Sequence, residues 1–510
     1  MQDRNSSRRV RHEPFRIAII GAGVAGMAAA IKLRQQGFSD ITIFEKASEV
    51  GGTWRENRYP GVACDVPSHH YAFTFEPNAG WRHRLAHGDE LQEYMIHVSD
   101  KYALRRDIRF GEEVAEARFE EDRWHIRTKT GTTGEFDAII ACCGYLHIPR
   151  YPDTPGREDF KGDAFHSARW PAEYDLSGKR VALIGNGSTG VQIASALAES
   201  GVDLTIFQRS AQWVFPLPNR EIGGAERKLN KWLPFLGRLS SNFYQWFYEK
   251  VFAVAVIRSG WQRAYLSAMC RINLKRIKDR ALREKLTPDY KPLCRRMVMS
   301  WDFYRAVQRS NVRLLTDRVE RIEAEGIRTA SGTLEKFDVL IFATGFHAQN
   351  YIRPIELITD RGARLSREWE EQATAYLGIH IAGFPNFFVV GGPSSPLGNF
   401  SATAFSEAII DRIVGCIMLI RDGDIARMEI RKEAVVSYYA WLAANMPGTI
   451  WVSGCSSWYL GKGGFPANNF PKTPDEFRAM LADIDLSKFE IEYRAPEGDA
   501  QFEGGVSAGV

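Results

Sequence analysis

Two stretches, Gly21-Ala22-Gly23-Val24-Ala25-Gly26 and Gly185-Asn186-Gly187-Ser188-Thr189-Gly190, share the spacing G-x-G-x-x-G, which has the chemistry of pyrophosphate binding. The first glycine permits a tight turn, the second lets backbone approach the phosphates, and the third lets a helix close on a strand. A helix starting in such a turn offers free N–H groups to an anion. The ribose is read 24 positions after the first glycine, by Glu45 in one unit and by Arg209, followed by Ser210, in the other. A carboxylate accepts from ribose hydroxyls and repels a 2′-phosphate, whereas a guanidinium grips one with paired donors. The first site therefore suits FAD or NAD and the second NADPH. Two such sites in one chain point to reduction of a flavin by a nicotinamide.

The elements needed to position these residues are present. An apolar run, Arg16 to Ile20, leads into the first turn, an Ala-rich helix follows to about Gln36, and a strand from Asp40 ends in Glu45. Lys179 to Ile184, Val191 to Glu199 and Val202 to Gln208 repeat this β-α-β order. Phe136 to Gly144 and Phe337 to Gly345 are buried strands ending in glycine, and Asn386 to Gly392 reads as a last strand at the flavin. The fold class is α/β, with two nested Rossmann-like dinucleotide-binding domains and a helical insert. The boundaries are a flexible arm at 1–14, an FAD-binding domain at 15–148 and 346–510, an NADP-binding domain at 149–217 and 287–345, and the insert at 218–286.

Composition agrees. The 510 residues are 45% hydrophobic and 25% charged, ordinary for a globular chain and against collagen-like or largely disordered readings. A net charge of +4 is too little for a protein that grips nucleic acid through its phosphates. The seven cysteines, Cys64, Cys142, Cys143, Cys270, Cys294, Cys416 and Cys455, have no C-x-x-C pair. They read as buried small hydrophobes in a reducing cytoplasm, with no disulfide framework and no metal site. No signal peptide and no membrane-spanning run is legible. The greasiest region, Lys231 to Ile257, reads first as an amphipathic helix pair and leaves weak contact with a membrane surface open.

With these parts in place, the chain resembles the flavoprotein monooxygenases, and more closely the type I Baeyer–Villiger monooxygenase family, from Arg16 to about Glu476. The most specific likeness is Phe160 to Pro171, which matches F-x-G-x-x-x-H-x-x-x-W-P at Phe160, Gly162, His166, Trp170 and Pro171. The resemblance implies a linker that couples cofactor binding to domain movement, with His166 an organiser, not a proton-transfer group. Gly51-Gly52-Thr53-Trp54, together with Asp65, resembles the family's flavin-facing loop. That implies contacts to FAD from Gly52, Thr53, Trp54 and Asp65, beside those of Gly21, Gly23, Gly26 and Glu45. In Leu293 to Met297 it places Arg296 as the catalytic arginine and Arg295 at the NADPH 2′-phosphate, with Arg309 the runner-up if the register slips. Ser457 to Lys462 resembles a closing loop whose Trp458 contacts the nicotinamide cofactor, although Gly463 to Ala467 departs from the family's continuation. The NADP contacts are then Gly185, Gly187, Ser188, Thr189, Gly190, Arg209, Ser210, Arg295 and Trp458.

The chemistry implied uses FAD, NADPH and O2 to insert one oxygen beside a ketone carbonyl through a C4a-peroxyflavin, giving an ester or lactone. Arg296, paired with Asp65, would stabilise the negative charge that develops. The alternative is a flavin monooxygenase that oxidises sulfides or amines. A disulfide reductase would need a redox cysteine pair at the flavin, and none is spaced for it. The aromatic-rich insert favours a bulky apolar ketone.

Overall fold

The computed structural model describes residues 14–395, 401–455, 459–461, 464–465 and 467–494. The expected arm through residue 13, and Trp458, lie outside the described residues.

Apolar runs without alternation need cover on both faces, which parallel sheets between helices provide. Arg16–Ile20 runs parallel between Asp40–Glu45 and Ala138–Ala141, and Phe387–Val389 and Ile108–Phe110 extend the sheet to five strands. The second sheet repeats the plan around Arg180–Ile184, flanked by Asp203–Phe207 and Val339–Phe342, with Val312–Leu315 and Asp163–His166 at its edges. The chain completes this second sheet before Phe387–Val389 returns to the first, so the two units are nested.

Two features depart from the expected plan. The fingerprint segment is not only a linker, because Asp163–His166 pairs in parallel with Val339–Phe342. Four residues are too few for a periodicity to declare a strand. A mostly antiparallel sheet of Val114–Glu120, Arg123–Thr128, Thr133–Phe136 and Glu356–Thr359 also lies beside the first unit. Between Asp203–Phe207 and Val312–Leu315 the chain makes the helical insert, which includes Gly224–Trp232, Pro234–Phe247 and Trp261–Leu274.

The glycine turns show why side chains are excluded. Gly21 and Gly185 sit at φ of +103° and +107°, where L side chains are strained. A Cβ on Gly26 would lie 1.8 Å from the Gly21 carbonyl oxygen, and one on Gly190 2.2 Å from that of Gly185. Gly187 differs: its φ is −69° and an added Cβ would meet nothing within 4 Å. Gly190→Ala should therefore destabilise the protein by about 1–3 kcal/mol through overpacking, while Gly187→Ala melts as wild type. Thermal unfolding of both variants checks this, and equal midpoints would refute the packing argument.

Candidate active site

In the first unit the glycine turn is tied to the end of the neighbouring strand. Gly21 N donates to the Phe44 carbonyl at 2.8 Å. The buried Glu45 accepts from Ala22 N at 2.7 Å and from Ala47 N at 2.8 Å. Each carboxylate oxygen keeps a second lone pair, so Glu45 can clamp the turn and still accept from a ribose. Across the turn Gly51 N donates to the Ala22 carbonyl at 3.1 Å, and Gly52 faces Gly23 with only hydrogens between their α-carbons. Thr53 opens the short helix Thr53–Glu56, and Trp54 packs edge-on against Tyr71 with its Nε1 donating to the Tyr71 hydroxyl at 3.2 Å. The result is a backbone-lined cradle that any Cβ would narrow.

The second unit makes the same turn, with Gly185 N donating to the Phe207 carbonyl at 3.1 Å. Its polar tie is made at the same register by a different pair of side chains. The buried Asn186 Nδ2 donates to Gln208 Oε1 at 2.7 Å, and Gln208, which follows Phe207 as Glu45 follows Phe44, stands at the register of Glu45, so the equal step of 24 does not make Arg209 its structural counterpart. Arg209 is the next residue and takes no part in the tie. It is exposed and, among the described residues, has no ion-pair partner. Ser188 and Thr189 open the helix Ser188–Ser200. Ser210 Oγ accepts from Arg295 Nη1 at 2.8 Å, while the Arg295 guanidinium lies 4.3 Å above the Tyr290 ring and its buried Nε has no partner. Ser210 thus holds the Arg295 guanidinium, with the exposed Arg209 next to Ser210 in sequence.

Asp65 and Arg296 come from segments 231 residues apart, and Arg296 Nη2 donates to Asp65 Oδ2 at 2.6 Å. Asp65 pushes the guanidinium's proton affinity further up, against the burial that would lower it, so Arg296 stays charged. Tyr459 hydrogen-bonds Arg296, and Tyr145 lies within its field. Burial pushes Tyr459 up to about 12, which keeps it a neutral hydroxyl. Tyr248 holds the Asp65 carbonyl with a 3.0 Å hydrogen bond. The Asp65 loop is bolted to the second glycine helix: the Tyr59 hydroxyl donates to Gln192 Oε1 at 2.9 Å, and Gln192 Nε2 donates to the Ala63 carbonyl at 2.8 Å. A Cβ on Gly61 would lie 2.8 Å from the Gln192 carbonyl oxygen, so only glycine allows this approach. Arg309 is exposed and, among the described residues, is not paired with Asp65.

His166 is fully buried. Its Nδ1 accepts from Ala168 N at 3.1 Å, which leaves Nε2–H to donate to the Gly345 carbonyl at 3.0 Å. Both nitrogens serve the backbone. Around it, Phe160 is buried, a Cβ on Gly162 would lie 2.4 Å from the Asp338 carbonyl oxygen, Trp170 packs edge-on against Phe165, and Pro171 is exposed.

The reading of all seven cysteines as unpaired requires correction. Cys294 and Cys455 form a disulfide with their α-carbons 6.2 Å apart. Spacing arguments see only sequence neighbours, and this pair is separated by 161 residues. The bond fastens the segment that carries Arg295 and Arg296 to the C-terminal loop.

Tyr59, Tyr145, Tyr248, Tyr459 and Gln192 were not among the expected site residues. Tyr145 directly follows the glycine that ends an expected strand, and Tyr459 sits beside Trp458, so position supplied a signal for those two. The others carry no local one.

Residues 15–352 match the family model described as FMO-like, flavin-binding monooxygenase-like. A Mycobacterium tuberculosis protein named as an uncharacterized monooxygenase is 43% identical over 93% of this chain and 96% of its own. A Streptomyces coelicolor protein named Baeyer–Villiger monooxygenase is 36% identical over 95% of this chain and 94% of its own. Among solved structures, cyclohexanone monooxygenase from Rhodococcus sp. Phi1 bound to NADP+ superposes with a TM-score of 0.83 at 28% identity, over 94% of this chain and 100% of that one. OTEMO in complex with FAD and NADP does so with a TM-score of 0.83 at 26% identity, over 94% and 99%.

Burial lowers the His166 imidazole from the ordinary 6.5 to about 4, partly opposed by its bond to Gly345. Between those values the unfolded chain binds the proton that the folded one refuses. His166's contribution to stability is therefore complete above about pH 6.5 and is lost as pH falls toward about 4. Melting curves across this window should drop less steeply for His166→Gln than for wild type, and identical slopes would remove His166 from the acid response.

Proposed function

We propose, from the premise that the chain belongs to the flavin-binding monooxygenase-like family and is a flavin monooxygenase of the Baeyer–Villiger type, that it converts a ketone, O2, NADPH and a proton into an ester or lactone, water and NADP+. The observation that carries this reading is the 2.6 Å Arg296–Asp65 pair, on a loop fastened to both glycine turns.

The residues fit both cofactors. The Gly21–Gly26 turn, Glu45 and the Gly51–Gly52 loop make a cradle that a Cβ would fill, suited to the FAD pyrophosphate and ribose, with Thr53 and Trp54 beside it. Arg209, Ser210 and Arg295, with an orphaned buried Nε, suit the 2′-phosphate of NADPH. When bound, these cofactors supply the reducing equivalents and the activation of O2.

The chain's own residues position and stabilise. Arg296 uses one N–H donor on Asp65 and, with Tyr459, keeps others for an anionic oxygen. As a ketone carbonyl becomes tetrahedral, negative charge grows on its oxygen, and a fixed cation sheltered from water stabilises that charge without reorganising. Asp65 keeps the guanidinium in register. His166, with both nitrogens committed to backbone, holds the linker and moves no proton. The apolar insert beside Asp65 supports a bulky apolar ketone as substrate.

Arg296→Ala should leave NADPH-dependent flavin reduction near wild type while ester formation falls by about 10²–10³-fold. Rapid-mixing absorbance and product analysis separate the two steps, and wild-type oxygenation would end this assignment. Arg209→Ala and Arg295→Ala should each raise KM for NADPH by about 10–100-fold, as expected for a lost charge-assisted contact, with NADH use unchanged. Steady-state kinetics with both nucleotides decide it, since equal losses with NADH would mean that the 2′-phosphate is not bound there.

A further inference from the structure

The helical insert has an outer face that the proposed reaction does not use. On Pro234–Phe247 the exposed apolar positions follow a single stripe, Phe235, Leu239, Phe243 and Trp246, at exposures of 60, 64, 56 and 53%. Apolar residues belong on the buried face of a surface helix, and here they lie on the opposite one. The inner face is occupied: Gly237 sits against His69, and Tyr244 lies under the Arg84 guanidinium, 5.4 Å from its ring. The preceding helix, Gly224–Trp232, packs against this one and adds Trp232, 84% exposed.

Charge follows the same stripe. From Arg227 to Tyr248 the sequence has Arg227, Lys228, Lys231 and Arg238 and no acidic residue. Lys228, Lys231 and Arg238 are exposed. Aromatic and aliphatic side chains on one face, with Lys and Arg interleaved, are the composition of a helix lying in a bilayer interface. An interface between protein copies would instead be depleted in lysine at its core. Among the described residues no helix is long and apolar enough to cross a membrane.

We propose that the outer faces of Gly224–Trp232 and Pro234–Phe247 dock on an anionic lipid bilayer. The aromatic side chains enter the headgroup boundary while the lysine and arginine heads meet lipid phosphates. Tyr248, immediately after the second helix, bonds the Asp65 carbonyl, so a docked insert holds the Asp65 loop close to the lipid surface.

The test is flotation of the full-length holoprotein with phosphatidylcholine–phosphatidylglycerol vesicles and with phosphatidylcholine alone. Wild type should float with the anionic vesicles about tenfold better than with the neutral ones, and added salt should weaken this. The combined variant Trp232→Ser, Phe235→Ser, Trp246→Ser should lose that binding about tenfold or more. Lys228→Glu, Lys231→Glu, Arg238→Glu should do the same while keeping the apolar face, at about fivefold per cation. Thermal midpoint and NADPH oxidation confirm folding of both variants, and two independent variants protect the test against one failing to fold. The proposal is overturned if wild type does not float with anionic vesicles or if folded variants float as well as wild type. It is equally overturned if sedimentation shows a wild-type dimer that both variants dissolve without any vesicle binding, which would make the face a contact between copies.

Discussion

The Arg296–Asp65 ion pair is the contact on which the rest of the site depends. Drawing two charges partly out of water is costly unless geometry and further hydrogen bonds are enforced. Both units, the insert and the C-terminal loop contribute to that enforcement. The first unit supplies the Asp65 loop. The second pins it through Tyr59, Gln192 and the close approach at Gly61. The insert holds the Asp65 carbonyl through Tyr248. On the other side, Ser210, Tyr290 and the Cys294–Cys455 disulfide fix the segment that presents Arg296. Losing any one support frees one charge relative to the other.

The two dinucleotide units show how one backbone plan serves opposite ligands. In each, the glycine turn must be tied to the end of the next strand. The first unit makes that tie with Glu45, and an acid can do so and still accept further hydrogen bonds because it has acceptor capacity to spare. A guanidinium has no acceptor and could not replace it. The second unit makes the tie at the same register with Asn186 and Gln208, a neutral buried pair, and Arg209, one residue further on, faces solvent. The acid at this register in the first unit is thus a neutral amide in the second, and the cation comes one residue later.

Much of this was legible in sequence because it is local. Turn, helix and terminal acid lie within 25 residues, and long apolar strands announce themselves. The Asp65–Arg296 pair was reached only through resemblance, since no spacing rule joins positions 65 and 296. The disulfide, the Tyr59–Gln192 bolt and the Tyr248 contact were missed for the same reason: they join distant segments through side chains with no local signature. Short edge strands such as Asp163–His166 escaped because four residues carry too little periodicity to read. The amphipathic character of residues 231 to 257 was visible, but which face pointed outward required the packing of Gly237 and Tyr244.

Nesting one sheet unit within another forces the chain to pass between them twice, and the two passages are joined. Arg150 N donates to the Gly345 carbonyl at 2.9 Å and His347 N to the Ile148 carbonyl at 3.0 Å, so the outgoing and returning strands run side by side. The Gly345 carbonyl also accepts from His166 Nε2, which brings the fingerprint strand into the same crossing. The two passages are thus tied to each other and, through His166, to the fingerprint strand. A charged imidazole would have two donors and could no longer accept from Ala168 N, so burial that keeps His166 neutral is also what keeps the crossing intact.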